Sequence, residues 1–155
     1  INFLFTIVAI TLIDRVGRKA LLIFSSTFMG LSLAGLALVF RMTPPPAPLV
    51  ITLMLMCVAS FAVGLGPGVW VVLSEIFPNR IRGRAMSIAT LSLWVACTVL
   101  TMTFLSITTA LGPTGAFYIY AGMCAFTAWF VWRLTPETKS RTLEEIEGFW
   151  RQHKP

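Results

Sequence analysis

Charge is what this sequence has least of. Charged residues make up 12% of its 155 positions, against roughly 25% in soluble proteins. None falls between Met42 and Ser74, and none between Ala85 and Trp132. A soluble helical domain needs charge on the outer face of each helix, and these stretches have no such face. Histidine is nearly absent: His153 stands alone near the end of the chain. Cys57, Cys97 and Cys124 are the three cysteines, all inside apolar stretches. They suggest neither a disulfide framework nor metal-ligand spacing, and read as small packing residues. No nucleophile–base pair, metal cluster or phosphate loop is present, so neither an enzyme nor a cofactor site is expected. No positively charged segment precedes the first apolar run, which argues against a cleaved signal peptide.

What the sequence has is hydrophobic length. Apolar residues reach 57%, and they fall into runs that match a bilayer. A hydrocarbon core about 30 Å thick takes about 20 mostly apolar residues in a helix. Spans are expected at about 1–13, 20–40, 49–76, 86–111 and 116–134, with a tail at 135–155. The breaks carry turn chemistry: "RMTPPPAP", "SEIFPNRIRGR" and "GPTG". The first run is too short to span, and the chain lacks an initiating Met. It is therefore expected to begin partway through a helix and to supply four further complete spans. The fold class is an all-α membrane protein.

The few charges are sorted. If the spans alternate across the membrane, one side receives every Lys and Arg except Arg41, and all six acids. The positive-inside rule makes that side cytoplasmic, with the C-terminus on it. The net charge of +6 then reflects topology and contact with anionic lipid headgroups. Short membrane-flanking clusters do not suit nucleic-acid binding.

Three cytoplasmic segments carry acids among the cations. "DRVGRK" places Asp14 and Arg15 before Gly17, and Arg18 after it. "SEIFPNRIRGRA" has Glu75 at the end of the third span and Arg82 at the start of the next. Carboxylates and guanidiniums this close can form strong paired contacts that break and remake, as a gate requires. In the tail, Thr142 and Glu145 fit a capping box. Leu143, Ile146 and Phe149 or Trp150 then share one face of an amphipathic helix along the membrane.

The third span contains "GLGPGVW", Gly64–Trp70. Pro67 removes a helix hydrogen bond, and such a break survives in a membrane only where protein or a wet cavity satisfies the backbone. Gly64, Gly66 and Gly68 mark the expected hinge. Trp70, just beyond, offers a broad apolar face and one N–H donor. On the residues alone Trp70 also fits an interfacial anchor, Trp94 fits core packing, and Asn2 fits an interhelical hydrogen bond.

"DRVGRK", "GPGVW", "SEIFPNRIRGRA" and "PETKSRTLEEIE" together resemble the sugar porters of the major facilitator superfamily, in order and spacing. The resemblance runs from Asn2 to about Glu147 and matches the C-terminal half, from helix 8 to helix 12. It implies a twelve-helix carrier of hexoses, pentoses or polyols, in which two halves rock about a midplane site. It implies sugar contacts for Trp70 on helix 10, within the motif begun by Gly66 and Pro67. It implies the same for Trp94 on helix 11, Asn2 on helix 8 and Phe61 on helix 10. Asp14, Arg15, Arg18, Glu75, Arg82 and Glu137 correspond to the cytoplasmic charge cluster. Partners implied are a sugar, a co-transported proton, lipid and the N-terminal half of the same carrier, in a plasma or inner membrane. Leu93 stands where the family usually has Asn or Gln, Ala62 where some members have a polar residue, and Ser140 where glycine is usual. No acidic or basic residue lies deep within a complete span, so these residues leave symport and facilitated diffusion both open. A non-transporting sugar sensor and a carrier of another small solute, such as an organic acid, are the alternatives.

Overall fold

The computed structural model describes residues 1–77 and 81–135. The side chain of Asp14, together with Glu137 and the expected tail helix, lies outside the described residues. Five helices follow one another: α1 (Asn2–Val16), α2 (Arg18–Val39), α3 (Ala47–Val63), α4 (Leu65–Ile76) and α5 (Arg82–Leu134). No strand occurs among the described residues. The helices reach past the apolar runs, with α1 continuing to Val16 and α5 opening at Arg82. Gly17 alone separates α1 from α2, at φ 100° and ψ 151°. Phe77 and Thr135 end α4 and α5 in extended backbone, ψ 130° and 119°. Each precedes a proline in the sequence, whose ring disfavours the helical region for its neighbour.

Helix α5 folds back on itself. Its 53 residues would run about 80 Å if straight, far more than a hydrocarbon core of about 30 Å. Gly112 breaks the helical dihedrals, with φ 70° and ψ 169°. Pro113 opens the second limb, where its missing N–H is no loss. Phe104 and Tyr120 stack with ring centroids 6.2 Å apart, although a straight helix would set them about 24 Å apart. The two limbs, 82–111 and 113–134, are therefore antiparallel.

Helix α2 is the centre of the packing. Against the second limb of α5 it runs antiparallel: Phe40 stacks on Phe117 at 5.3 Å, Gly30 lies beside Cys124, and Leu22 clusters with Val131. Against α3 and α4 it is also antiparallel. Gly35 meets Leu53, Ser25 bonds to Ser60, Gly68 meets Leu22, and Arg18 pairs with Glu75. Leu22, Val72 and Val131 form a small buried core at one end of the bundle, flanked by Ile23, Leu65, Val69 and Ile76.

Most other large apolar side chains face outward, among them Leu91, Met102 and Leu105 on the first limb of α5. Hydrocarbon tolerates such a surface, because lipid tails are as apolar as leucine. Arg18–Val39, Ala47–Ile76 and Arg82–Leu134 are long and apolar enough to cross a membrane by length and composition.

Candidate functional site

The third apolar span is two helices, not one. Helix α3 stops at Val63 and α4 starts at Leu65, with Gly64 between them at φ −130° and ψ −67°. Of the three glycines expected to weaken the span, Gly64 alone carries the break; Gly66 and Gly68 are helical. The break explains how Pro67 is accommodated. It falls in the first turn of α4, where an amide has no intrahelical carbonyl to meet. Gly68 N–H donates to Gly64 O at 2.8 Å and starts the new helix.

A neighbouring helix fills the break. A side chain at Gly64 would meet the carbonyl oxygen of Leu21, and Ser25 Cβ at 2.5 Å. Ser25 is fully buried. Its hydroxyl donates to Ser60 O at 2.6 Å and accepts from Leu65 N–H at 3.1 Å.

Helix α4 consequently has two unlike faces. Gly68 and Val72 are buried, continuing the line from Gly64; Gly68 sits against Leu22 Cδ2. Gly66 and Trp70, four residues apart, share a different face. Phe61 reaches Gly66 across the break: a Cβ on Gly66 would stand 3.4 Å from Phe61 Cε1 and 3.3 Å from Phe61 O. Phe61 and Trp70 are 43% and 40% exposed, so both rings are open.

Trp94 lies on the first limb of α5 and is 64% exposed. It borders a shallow groove of about 460 Å³ with Met86, Ser87, Thr90 and Leu91. Asn2 is at the start of α1, exposed, and its Oδ1 accepts from Thr6 Oγ1 at 3.3 Å. No ring contact joins Trp70 to Trp94 among the described residues. Phe61 is brought against Gly66, and Pro67 and Trp70 follow on α4, whereas Trp94 and Asn2 stand on α5 and α1.

At one end of the bundle Arg18 meets Glu75. Arg18 Nη2 and Nε donate to Glu75 Oε1 at 2.9 and 3.2 Å, in a partly buried pair. The contact ties the start of α2 to the last turn of α4. Arg82 Nε reaches Phe77 O at 3.5 Å, bridging the segment between α4 and α5. Arg15 lies in the last turn of α1, where the helix dipole favours a cation.

Two polar groups were not expected from the sequence. Ser25 reads in the sequence as one more small residue in an apolar span; its partners lie far along the chain. The other group is a line of hydroxyls on the Trp94 face of α5. Ser87, Thr90, Thr98 and Thr101 follow Trp94's helical spacing of three and four residues. Ser87, Thr98 and Thr101 each donate to the carbonyl four residues back, at 2.8–2.9 Å. The oxygen lone pairs on these groups can accept further bonds. The three-to-four spacing was the available signal for that line.

Residues 1–150 match the family model described as "Sugar (and other) transporter". The chain is 40% identical over 156 residues to the D-xylose-proton symporter of Escherichia coli K12, covering 97% of this chain and 32% of the relative. It is 39% identical to the arabinose-proton symporter of Bacillus subtilis, with the same coverage of 97% and 32%. Trehalose transporter 1 of Drosophila melanogaster is 39% identical, over 95% of this chain and 18% of the relative. Among solved structures, the proton:xylose symporter XylE bound to 6-bromo-6-deoxy-D-glucose superposes with a TM-score of 0.85 at 39% identity, covering 96% of this chain and 32% of that one. The inward-open conformation of XylE from E. coli gives 0.84 at 40% identity, with 96% and 33% covered. The chain thus spans about a third of the length of the two symporters. Its apolar helices and its relatives make it an integral, multi-pass membrane protein, and it belongs to the sugar-porter family of the major facilitator superfamily.

Proposed function

We propose that this chain forms the C-terminal transmembrane part of a longer carrier, which moves a hexose, pentose or polyol across the membrane by alternating access. The single observation that carries the reading is the pair of open aromatic rings on the two sides of the α3–α4 break, Phe61 and Trp70. A sugar ring has an apolar face and a rim of hydroxyls. Trp70 and Phe61 offer the apolar surface, and Trp70 adds one N–H donor. Gly66 leaves room for the Phe61 ring beside α4.

Trp94 supplies a second aromatic surface. The hydroxyls of Ser87 and Thr98 beside it supply acceptors in place of the polar side chain missing at Leu93. Asn2 contributes a donor and an acceptor from α1. The N-terminal half of the carrier closes the other side of the site. At the cytoplasmic end, the Arg18–Glu75 pair acts with Asp14, Arg15, Arg82 and Glu137 to steady the outward-facing state, and yields as the carrier turns inward. The basic residues on that side also contact anionic lipid in the plasma or inner membrane, with the C-terminus in the cytoplasm.

Reconstituting the full-length carrier in liposomes tests this. Uptake of labelled xylose, arabinose and glucose is expected to saturate and to be sugar-specific. Trp70→Ala is expected to lower kcat/KM about tenfold or more, the effect of ~1.4 kcal/mol of lost binding. Dependence on an imposed proton gradient identifies symport, and independence identifies facilitated diffusion. A folded, inserted carrier with no sugar-specific uptake contradicts the reading and favours a sensor or a carrier of another solute.

A further inference from the structure

We propose that Ser25 is a positioning residue for the substrate site: its hydroxyl couples the two halves of the broken span and so fixes the angle at which α4 carries Trp70. The role in sugar binding rests on the transport reading above; the local role does not.

The last four carbonyls of a helix and the first four amides of the next have no intrahelical partners. Ser60 O belongs to the last turn of α3 and Leu65 N–H to the first turn of α4. In hydrocarbon no water is at hand to take either group. Ser25 Oγ takes both, donating to one and accepting from the other. A hydroxyl is the smallest side-chain group able to do this, since it is both donor and acceptor at one atom.

The surroundings leave little room for an alternative. Ser25 is completely buried, and Gly64 places only hydrogen where a side chain would run into Ser25 Cβ and Leu21 O. The glycine and the serine therefore work as a pair: one removes its side chain so that the other can reach the backbone. A side chain inserted into a helix ladder is a recognised cause of a sharp bend. Here it sets a bend just ahead of the helix turn that bears Trp70. Shifting either hydrogen bond turns α4 about Gly64 and moves Trp70 with it.

The full-length carrier with Ser25→Ala tests the proposal, because alanine keeps the Cβ packing and removes both bonds. Hydrogen exchange of the amides around Leu65 is expected to quicken on the order of tenfold, the factor that about 1.4 kcal/mol represents. The distance between spin labels on α2 and the far end of α4 is expected to broaden. The KM for sugar is expected to rise several-fold with little change in insertion. Ser25→Cys, nearly isosteric with a weak donor and acceptor, is expected to fall between serine and alanine, and it carries the test if the alanine variant does not fold. Exchange and label distances that match the unsubstituted carrier would overturn the proposal. Exchange and distance need no sugar, so absence of uptake by the unsubstituted carrier counts against the transport reading alone.

Discussion

Gly64 and Gly112 both interrupt apolar helix, and they do so in different surroundings. Gly112 adopts φ 70° and ψ 169°, a region nearly closed to residues with a Cβ, yet the space where a side chain would go is open, with no packed neighbour within 4 Å. Gly64 has a negative φ, but its side-chain position is already occupied by α2. One glycine is required by its own backbone, the other by its neighbour. The first makes a reversal at the end of a crossing, where solvent and headgroups can receive backbone groups. The second makes a bend inside a crossing, where only another helix can. A mid-span break is therefore a tertiary feature, and its glycine is one half of a contact.

Substitutions separate the two cases. The largest effect is expected at Gly64→Ala: overpacking against Ser25 and Leu21, plus loss of the buried hydrogen bonds, should destabilise by about 2–5 kcal/mol, read as thermal unfolding in detergent. Adding Ser25→Gly should recover only a small part of that loss, because it removes the clash with Ser25 Cβ and leaves the one with the Leu21 carbonyl. Gly112→Ala should destabilise by about 1–3 kcal/mol through backbone strain alone, and no second-site substitution around it should relieve the strain. A rescue at Gly112, or none at Gly64, would break the contrast.

Smaller effects sharpen it. Helix α4 is held at its other end by Arg18 and Glu75, so a double-mutant cycle of Arg18→Gln with Glu75→Gln should give a coupling of about 0.5–1 kcal/mol, as a part-solvated pair does. A much larger value would mean that the charge pair, and not Ser25, holds α4. Gly122→Ala is the control. Gly122 is helical with open space around it, so the change should be neutral or stabilising by up to about 1 kcal/mol.

The sequence revealed most where one segment decides the outcome by itself. Charge-free stretches marked the apolar helices, and "SEIFPNRIRGR", with its proline, marked a break between two of them. "GPTG" marked a reversal whose pivot is Gly112. The region of the mid-span break was also legible from Pro67 and its flanking glycines. Its position at Gly64 was not, because the choice among three glycines is made by α2. Ser25 was invisible for the same reason, since nothing local distinguishes it from Ser26, whose hydroxyl bonds back to Leu22 O within its own helix. Among the site residues, the clustering of Phe61 with Gly66 depends on the break and followed from no periodic pattern. Trp94 and Asn2 were picked by motif, and their distances from Trp70 depend on packing that no short stretch encodes.

The central claim is that Trp70, carried on the helix beyond a built break, is a sugar-binding surface. Equilibrium binding of labelled sugar to the purified full-length carrier, with and without Trp70→Ala, tests it most directly. The account predicts a Kd raised about tenfold or more, with helical content and unfolding temperature unchanged. An equal Kd in a correctly folded variant would contradict it, leaving Trp70 as a packing or interfacial residue.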